Sequence, residues 1–121
     1  MKLEKIEGSF TVCQLRDVNA AQLEQPFTFL SRTDEELSLV CPTGSVPAET
    51  VRREDGWRAF RISGVLDFSL IGILAPIAAI LAEAKIGIFA VSTFNTDYVL
   101  VKEERYEQAL TLLAGAGYKI G

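Results

Sequence analysis

The second half of the chain carries two kinds of hydrophobic periodicity in a regular order. Apolar and polar positions alternate loosely over residues 57–65, which predicts a strand, whereas apolar residues recur at offsets of three and four over residues 73–84, which predicts a helix. Pro76 falls in the first turn of that helix, where proline is tolerated. The remaining patterns predict two strands joined by a turn at Asn95 and Thr96, an amphipathic helix and a short last strand, over residues 86–94, 98–101, 103–114 and 118–120.

These elements follow the order strand, helix, strand, strand, helix, strand. This βαββαβ order is the ferredoxin-like arrangement of the α+β class, in which an antiparallel sheet carries its helices on one face. We therefore predict this fold for residues 57–121.

The first half has strand patterns similar to those of the second half. A turn at Thr33 and Asp34 separates the last two of three predicted strands, which span residues 10–15, 27–31 and 37–40. At a constant offset of 61 residues the two halves share three identities, in which Ser31, Leu39 and Val40 match Ser92, Leu100 and Val101. The offset is half the chain length, which indicates an internal duplication.

The first half lacks room for a full crossover helix. The segment between Leu15 and Phe27 is short and contains Pro26, so it cannot hold a helix together with its loops. Residues 42–49 are predicted to open a short helix, and residues 53–56 to form a polar link. We predict two ferredoxin-like repeats: a degenerate one at residues 1–56 and a complete one at residues 57–121.

The composition excludes much enzyme chemistry. The 121 residues contain no histidine, which removes the commonest general base and metal ligand. Two cysteines are too few for a disulfide framework or a four-cysteine zinc site. Sixteen acidic and 12 basic residues give a net charge of -4, which argues against a nucleic-acid partner. We expect no catalytic residue, no metal and no cofactor.

The apolar segments predict a protein that does not enter membranes. The uncharged run from Phe68 to Ala82 is shorter than the roughly 18 residues of a membrane span, and it contains Gly72 and Pro76. No apolar signal segment is visible near Met1, so we expect a cytoplasmic protein.

The connection at residues 64–72 offers the first candidate chemistry. Backbone N–H groups at the start of a helix bind carboxylates or phosphates, and Gly64 and Gly72 let a ligand approach the backbone. Ser69 is a candidate helix cap or anion donor, and Asp67 a candidate partner for a ligand ammonium. Alternatively, the glycines only permit a tight turn and Asp67 has a capping or turn role.

The polar segment at residues 92–97 is the second candidate. Asp97 supplies a charge, Thr93 and Asn95 supply hydrogen-bonding groups, and Phe94 supplies an apolar wall. The alternative is an ordinary hairpin turn, since Asn, Thr and Asp are common turn residues.

Other polar or reactive residues have structural interpretations. Cys13 and Cys41 lie in predicted strands and are expected to be small core residues. An acidic cluster is expected on the solvated face of the last helix, and a basic patch is expected to offset nearby acids: Glu103, Glu104 and Glu107, and Arg52, Arg53, Arg58 and Arg61, respectively.

Two segments resemble the ACT domain, a small-molecule regulatory module of βαββαβ topology that commonly binds amino acids. They are residues 64–75 (GVLDFSLIGILA) and residues 81–88 (LAEAKIGI). Residues 92–101 (STFNTDYVLV) resemble the subgroup that short bacterial tandem-ACT proteins share with CASTOR-type arginine sensors. Residues 10–15 and 37–42 resemble the degenerate ACT-like domain that comes first in the bacterial proteins.

The resemblance implies an amino-acid site between the loop before the first helix and the strand facing it. In the arginine-sensing relatives, an acidic residue near the position of Asp97 meets the cationic side chain, and backbone near the loop meets the α-carboxylate. The implied ligand-binding residues are Gly64, Leu66, Asp67, Phe68, Ser69, Gly72, Thr93, Phe94, Asn95 and Asp97.

We therefore predict a non-enzymatic regulatory protein that binds a free amino acid at an interface between ACT units. A homodimer is expected, and any regulatory output would pass through an oligomer or an unidentified partner protein. One alternative is a protein–protein interaction or oligomerisation module without a ligand. A third hypothesis is a small enzyme that uses Asp67 and Asp97 as paired carboxylates. The sequence contains no histidine and no metal-ligand cluster that would support it.

Overall fold

The computed structural model describes residues 1–67 and 69–121. Within this part of the chain there are seven strands and two α-helices, together with two short 3-10 helices at Ala20–Leu23 and Thr43–Ser45. The strands are β1 (Lys2–Leu15), β2 (Phe29–Arg32), β3 (Leu37–Pro42), β4 (Arg52–Ile62), β5 (Phe89–Ser92), β6 (Asp97–Lys102) and β7 (Lys119–Ile120). The helices are α1 (Leu74–Glu83) and α2 (Glu103–Gly115).

The chain divides into two compact units, Met1–Glu7 with Arg58–Gly121, and Gly8–Trp57. This division lies one residue from the predicted boundary between residues 56 and 57. It differs from the predicted domains in placing the first seven residues with the second half. Both β1 and β4 contribute residues to each unit, and Gly8 and Gly56 have φ angles of 90° and 85° close to the division. These backbone conformations favour glycine.

The unit that contains Arg58–Gly121 has the predicted element order β4, α1, β5, β6, α2, β7. Its strands lie in the order β7-β1-β4-β6-β5. The last strand pairs in parallel with β1, with Lys2 opposite Lys119 and Leu3 opposite Ile120, and β1 in turn neighbours β4. The residues before Gly8 thus add a strand to the βαββαβ core, which sequence periodicity in the second half alone does not indicate.

Both helices of this unit pack on the same face of the sheet. Alternate residues of β4 and β6 point into one core with the helices, as expected for strands with a period of two. Pro76 is the third residue of α1 and lies in its first turn, as predicted. The core includes Phe60, Ile62, Val99 and Val101 from the strands and Ile77, Leu81, Tyr106 and Leu113 from the helices, all at most 1% exposed. Neither α-helix in the described ranges has the length and apolar character needed to cross a membrane.

The unit Gly8–Trp57 is built on β1, with β3 on one side of it and β4 on the other. Cys13 and Cys41 belong to its core and are 3% and 1% exposed, so the prediction that they are core residues is confirmed. Burial raises the pKa of the Cys13 thiol, and it raises that of Cys41 to about 11. Both thiols are therefore protonated at neutral pH, and the thiolate needed for nucleophilic reactions is scarce.

Two predicted connections in the first half are wrong. Residues 53–56 are part of β4 rather than a polar link, because pairing with β1 and polar side-chain contacts override their weak strand propensity. The short helix predicted at residues 42–49 is only the 3-10 turn Thr43–Ser45. Pro47 follows Val46, which is extended with a ψ of 132°, and the residue before proline is disfavoured in helical conformation.

The two units contain hairpins of identical register, but at an offset of 60 residues. Arg32 pairs with Leu37 as Ser92 pairs with Asp97. In both hairpins the first turn residue donates its N–H to the carbonyl of the fourth at 2.9 Å. These bonds run from Thr33 to Glu36 and from Thr93 to Thr96. The predicted offset of 61 is therefore wrong by one position, which would exchange the two faces of each strand.

Candidate functional site

The loop between β4 and α1 contains a turn organised by Asp67. The backbone N–H and the hydroxyl of Ser69 both donate to Asp67 Oδ1 at 2.8 Å. The backbone N–H of Leu70 donates to the Asp67 carbonyl at 3.0 Å. Gly64 and Gly72 have φ angles of 91° and 71°, so both ends of the loop adopt backbone conformations that favour glycine.

Ser69 does not cap the helix, which corrects one of its two predicted roles. Helix α1 begins at Leu74, and Ile73 occupies the N-cap position without a side-chain cap hydrogen bond in the described part of the chain. Ser69 lies too early and is held by Asp67. Asp67 has the turn role that the sequence left open as an alternative.

The turn between β5 and β6 is organised by Thr93. Its hydroxyl donates to the Thr96 carbonyl at 2.9 Å and accepts the Thr96 N–H at 3.3 Å. At the base of the turn, the Ser92 hydroxyl donates to Asp97 Oδ1 at 2.6 Å. The polar residues of this segment therefore fix the turn and orient the Asp97 carboxylate.

Two hydrogen bonds join the hairpin to the loop and to the end of β4 that precedes it. The N–H of Leu66 donates to the Asn95 carbonyl at 2.6 Å, and the hydroxyl of Thr96 donates to the Ile62 carbonyl at 2.8 Å. Thr96 is 6% exposed, so the second bond is buried. The two segments that the sequence singled out are thus held side by side.

A cavity of about 200 Å³ lies between the loop and the hairpin. This is below the roughly 300–1,000 Å³ of pockets for drug-sized ligands and suits a smaller molecule. Six of the predicted residues line it, namely Leu66, Asp67, Thr93, Phe94, Asn95 and Asp97. Gly64, Ser69 and Gly72 are not among its lining residues, and Phe68 lies outside the residues that the structure describes.

Four further lining residues were not predicted. Ser92 and Thr96 belong to the polar segment already singled out, and their hydroxyls donate to Asp97 and to the Ile62 carbonyl at the end of β4. Leu70 and Ile73 belong to the loop before α1 and add apolar surface. Only the closeness of Leu70 and Ile73 to the motifs quoted above could have indicated them, since leucine and isoleucine are also ordinary core residues.

The cavity is acidic. Asp67 and Asp97 line it, and the described lining residues include no lysine or arginine. In both carboxylates it is Oδ1 that accepts hydrogen bonds, and Oδ2 has no hydrogen-bond partner among the described residues. The cavity is therefore lined by two carboxylates that could bind a cationic group.

Exposed apolar side chains occur in both segments that line this cavity. Leu70 and Phe94 line it and are 50% and 78% exposed. Val65 and Ile71 in the same loop are 72% and 90% exposed. These four residues, which we call the apolar rim, leave large apolar side chains exposed in the loop and the hairpin.

Replacing Thr96 by valine will lower the free energy of unfolding by about 1–3 kcal/mol, because a buried hydrogen bond is lost and the Ile62 carbonyl loses this donor. Urea denaturation provides the measurement. Thr111→Val, on an exposed helical position, is the matched control and should change stability by less than about 0.5 kcal/mol. Equal effects of the two substitutions would contradict the importance of the Thr96 bond.

Replacing Ser69 by alanine will raise the pKa of Asp67. Hydrogen bonds from the Ser69 backbone and then its side chain hold this pKa below its ordinary value of 3.8. The backbone donor remains in the variant, so the pKa should rise and still lie below 3.8. Carboxyl ¹³C NMR titration measures it, with Ser31→Ala as a control that leaves Asp67 unchanged.

The sign of the linked pH effect follows from the lowered pKa. The contribution of Asp67 to stability is present above its unfolded pKa and is lost as the pH falls through its folded pKa. Ser69→Ala should reduce this acid-side dependence, and an unchanged Asp67 titration in the variant would contradict the turn geometry.

The remaining candidate groups have structural roles. Arg53 pairs with Asp55 at 2.9 Å and Arg61 with Glu4 at 3.5 Å, so these members of the basic patch offset nearby acids as predicted. Glutamates 103, 104 and 107 are exposed on α2. In residues 1–67 and 69–121, no three Cys, Asp or Glu side chains are arranged to hold a metal ion.

Comparison with known proteins adds three findings. A model of the ACT domain matches residues 52–115. The chain has a TM-score of 0.88 and 34% identity to a crystal structure of a protein from Agobacterium tumefaciens, covering 99% of this chain and 91% of that one. It has 43% identity over 58 residues to the human cytosolic arginine sensor for mTORC1 subunit 1.

The extent of these matches differs. The match to the arginine sensor covers 47% of this chain and 18% of the sensor. Aspartate kinase from Clostridium acetobutylicum matches with a TM-score of 0.65 and 16% identity, over 94% of this chain and 33% of the kinase, and shares the fold alone.

Proposed function

The chain belongs to the ACT domain family, and we propose that it is a non-enzymatic regulatory protein that binds a free amino acid. The observation that carries this proposal is the acidic cavity between the β4–α1 loop and the β5–β6 hairpin. The ACT family consists of small-molecule regulatory domains, and the cavity lies in the part of the chain that the family model matches.

The arrangement of polar groups supports a specific orientation of the ligand. The ligand ammonium would bind Asp67 Oδ2, and a polar or cationic side chain would reach Asp97 Oδ2. Its α-carboxylate would accept hydrogen bonds from backbone N–H groups near the start of α1, where the helix dipole favours an anion. Phe94 and Leu70 would cover the aliphatic part.

The charge of the cavity favours a basic amino acid. Such a ligand brings two cationic groups to two carboxylates, whereas an acidic amino acid would bring a second anion to a cavity whose described lining has no cationic side chain. The similarity to a protein named as an arginine sensor supports the same ligand class.

We further propose that the chain contains two ACT repeats, a degenerate one at residues 1–56 and a complete one at residues 57–121. The equal hairpin registers at an offset of 60 support the duplication. The ligand would lie where the cavity meets another ACT unit of a homo-oligomer, and the apolar rim supports such a contact. Regulation would then pass through assembly or through a partner protein.

The apolar rim also favours a second candidate function, an interaction module without a ligand. Four exposed apolar side chains would then serve only a protein partner. The two candidates differ in one respect: an interaction module requires Phe94 and Ile71 but not the charge of Asp97.

Thermal unfolding in the presence of each amino acid tests the proposal. A ligand at about 100 times its Kd adds about 2.7 kcal/mol to the stability of the folded state, which raises the Tm of a small domain by several degrees. We expect a selective rise with arginine or lysine. The absence of any rise with all twenty amino acids would favour the interaction module.

A further inference from the structure

A second and larger cavity lies within the unit Gly8–Trp57. Its volume of about 510 Å³ falls within the roughly 300–1,000 Å³ of small-molecule pockets. The polar residues that line it are Gln14, Glu35, Glu36, Ser38, Arg52, Arg53 and Glu54. It contains none of the residues that form the acidic cavity described above.

One wall of this cavity carries Arg52 and Arg53 beside Glu54, and a buried threonine helps to hold the partner of Arg53. Thr11 is 0% exposed, and its hydroxyl donates to Asp55 Oδ1 at 2.6 Å. The same oxygen accepts from Nε and Nη2 of Arg53 at 3.2 and 2.9 Å. The Arg53 guanidinium is therefore fixed in place while part of its five-donor set stays available.

Arg52 lies next to Arg53 in the same wall. Among the residues that the structure describes, its guanidinium has no ion pair or hydrogen bond. The wall thus combines one oriented guanidinium with one whose donors are all available for a ligand.

A second, anionic wall is formed by two glutamates of a turn. Thr33 Oγ1 accepts the backbone N–H groups of Glu35 and Glu36, both at 3.1 Å. The side chains of these two glutamates line the cavity and have no ion pair within residues 1–67 and 69–121. Gln14 and Ser38, which face each other in the β1–β3 pairing, add polar groups between the two walls.

We propose that this cavity is a second ligand site, which takes a zwitterion, namely a free α-amino acid. Guanidinium groups bind carboxylates in a directional manner, so the α-carboxylate would face Arg52 and Arg53. The α-ammonium would face Glu35 and Glu36. The cavity contains both cationic and anionic side chains. An amine would pair only with the anionic side chains, and a carboxylic acid only with the cationic ones.

The two sites use different residues because the two hairpins differ at the decisive position. The position equivalent to Asp97 at the observed offset of 60 is Leu37, which is 4% exposed and belongs to the core. The unit Gly8–Trp57 therefore offers no copy of the first site, and its turn contributes glutamates instead.

The test is an NMR titration of the full chain with each of the twenty proteinogenic L-amino acids. We expect at least one of them to shift the backbone amide signals of Gln14 and Ser38 in a saturable manner. Arg52→Gln and Glu36→Gln should each weaken this binding by about tenfold, the loss expected for one charge-assisted hydrogen bond. Arg32→Gln, an exposed arginine of β2 that does not line the cavity, should leave it unchanged.

Two further arms make the result specific. The amine that lacks the carboxylate of the active amino acid should fail to shift Gln14 and Ser38. Asp97→Asn, which removes a charge from the first cavity only, should leave these shifts intact, so failure of the first site and failure of this one are distinguishable. No saturable shift with any amino acid, or equal binding by Arg52→Gln, would overturn the proposal.

Discussion

Replacing Phe60 by alanine will lower the free energy of unfolding by about 3–5 kcal/mol, the usual cost of removing a buried aromatic ring. Phe60 is 0% exposed and contributes from β4 to the core that the strands form with the two helices. The loss combines the transfer energy of the ring with the cavity left behind. Urea denaturation of the wild type and the variant gives the difference directly.

Phe94→Ala is the matched control for this measurement. Phe94 is 78% exposed, so the same substitution there should cost less than about 0.5 kcal/mol. It should nevertheless weaken ligand binding, since the ring lines the acidic cavity. A loss below about 1 kcal/mol for Phe60→Ala would contradict the position of this ring in the core.

Replacing Asp97 by asparagine will weaken binding of a basic amino acid by about 10- to 100-fold, because a charge-assisted hydrogen bond contributes about 1.5–3 kcal/mol. The substitution keeps an oxygen that can accept the Ser92 hydroxyl, so the hairpin should stay folded. Calorimetric titration of both proteins with arginine or lysine measures the change.

Glu83→Gln is the control for a general effect of charge. Glu83 is an exposed residue at the end of α1, and its substitution removes the same charge without touching the cavity. Its affinity should equal that of the wild type. Equal weakening by both substitutions would indicate long-range electrostatics, and no weakening by Asp97→Asn would remove Asp97 from the site.

The element order of the second half was predictable because each segment has a clear period. Residues 73–84 show helical spacing, and α1 spans Leu74–Glu83. The run at residues 98–101 and its preceding turn define the hairpin that contains β6. Hydrophobic periodicity suffices to predict the type and order of elements where one face of each is buried in the same core.

The extension of β4 and the pairing of β7 could not be predicted in this way. Arg52–Asp55 are exposed and polar, and they become strand because β1 lies beside them. The short β7 pairs with residues at the other end of the chain. Both features depend on contacts between segments distant in sequence, which local patterns do not contain.

The offset of the hairpins illustrates the same limit. Three identities favoured 61, whereas the pairing of Phe29 with Val40 and of Phe89 with Leu100 gives 60. Chance identities outweighed the turn residues, since Thr33 and Thr93 make the same N–H bond to the fourth turn residue.

The two segments that line the candidate cavity could be singled out from the sequence, whereas some of their contacts could not. The two segments that line it were singled out from their polar residues and glycines, and their juxtaposition follows from the sheet order. The capping role of Ser69 was wrong, because α1 begins at Leu74, five residues later. Thr96, whose hydroxyl donates to the Ile62 carbonyl at the end of β4, could not be distinguished in the sequence from an ordinary turn residue.

The most direct test of amino-acid binding at the acidic cavity is an NMR titration that follows the amides of Leu66, Asn95 and Thr96. We predict that arginine or lysine shifts these signals in a saturable manner, and that Asp97→Asn removes or strongly weakens the effect. Unchanged signals with every amino acid would contradict the account, and so would shifts that Asp97→Asn leaves at full strength.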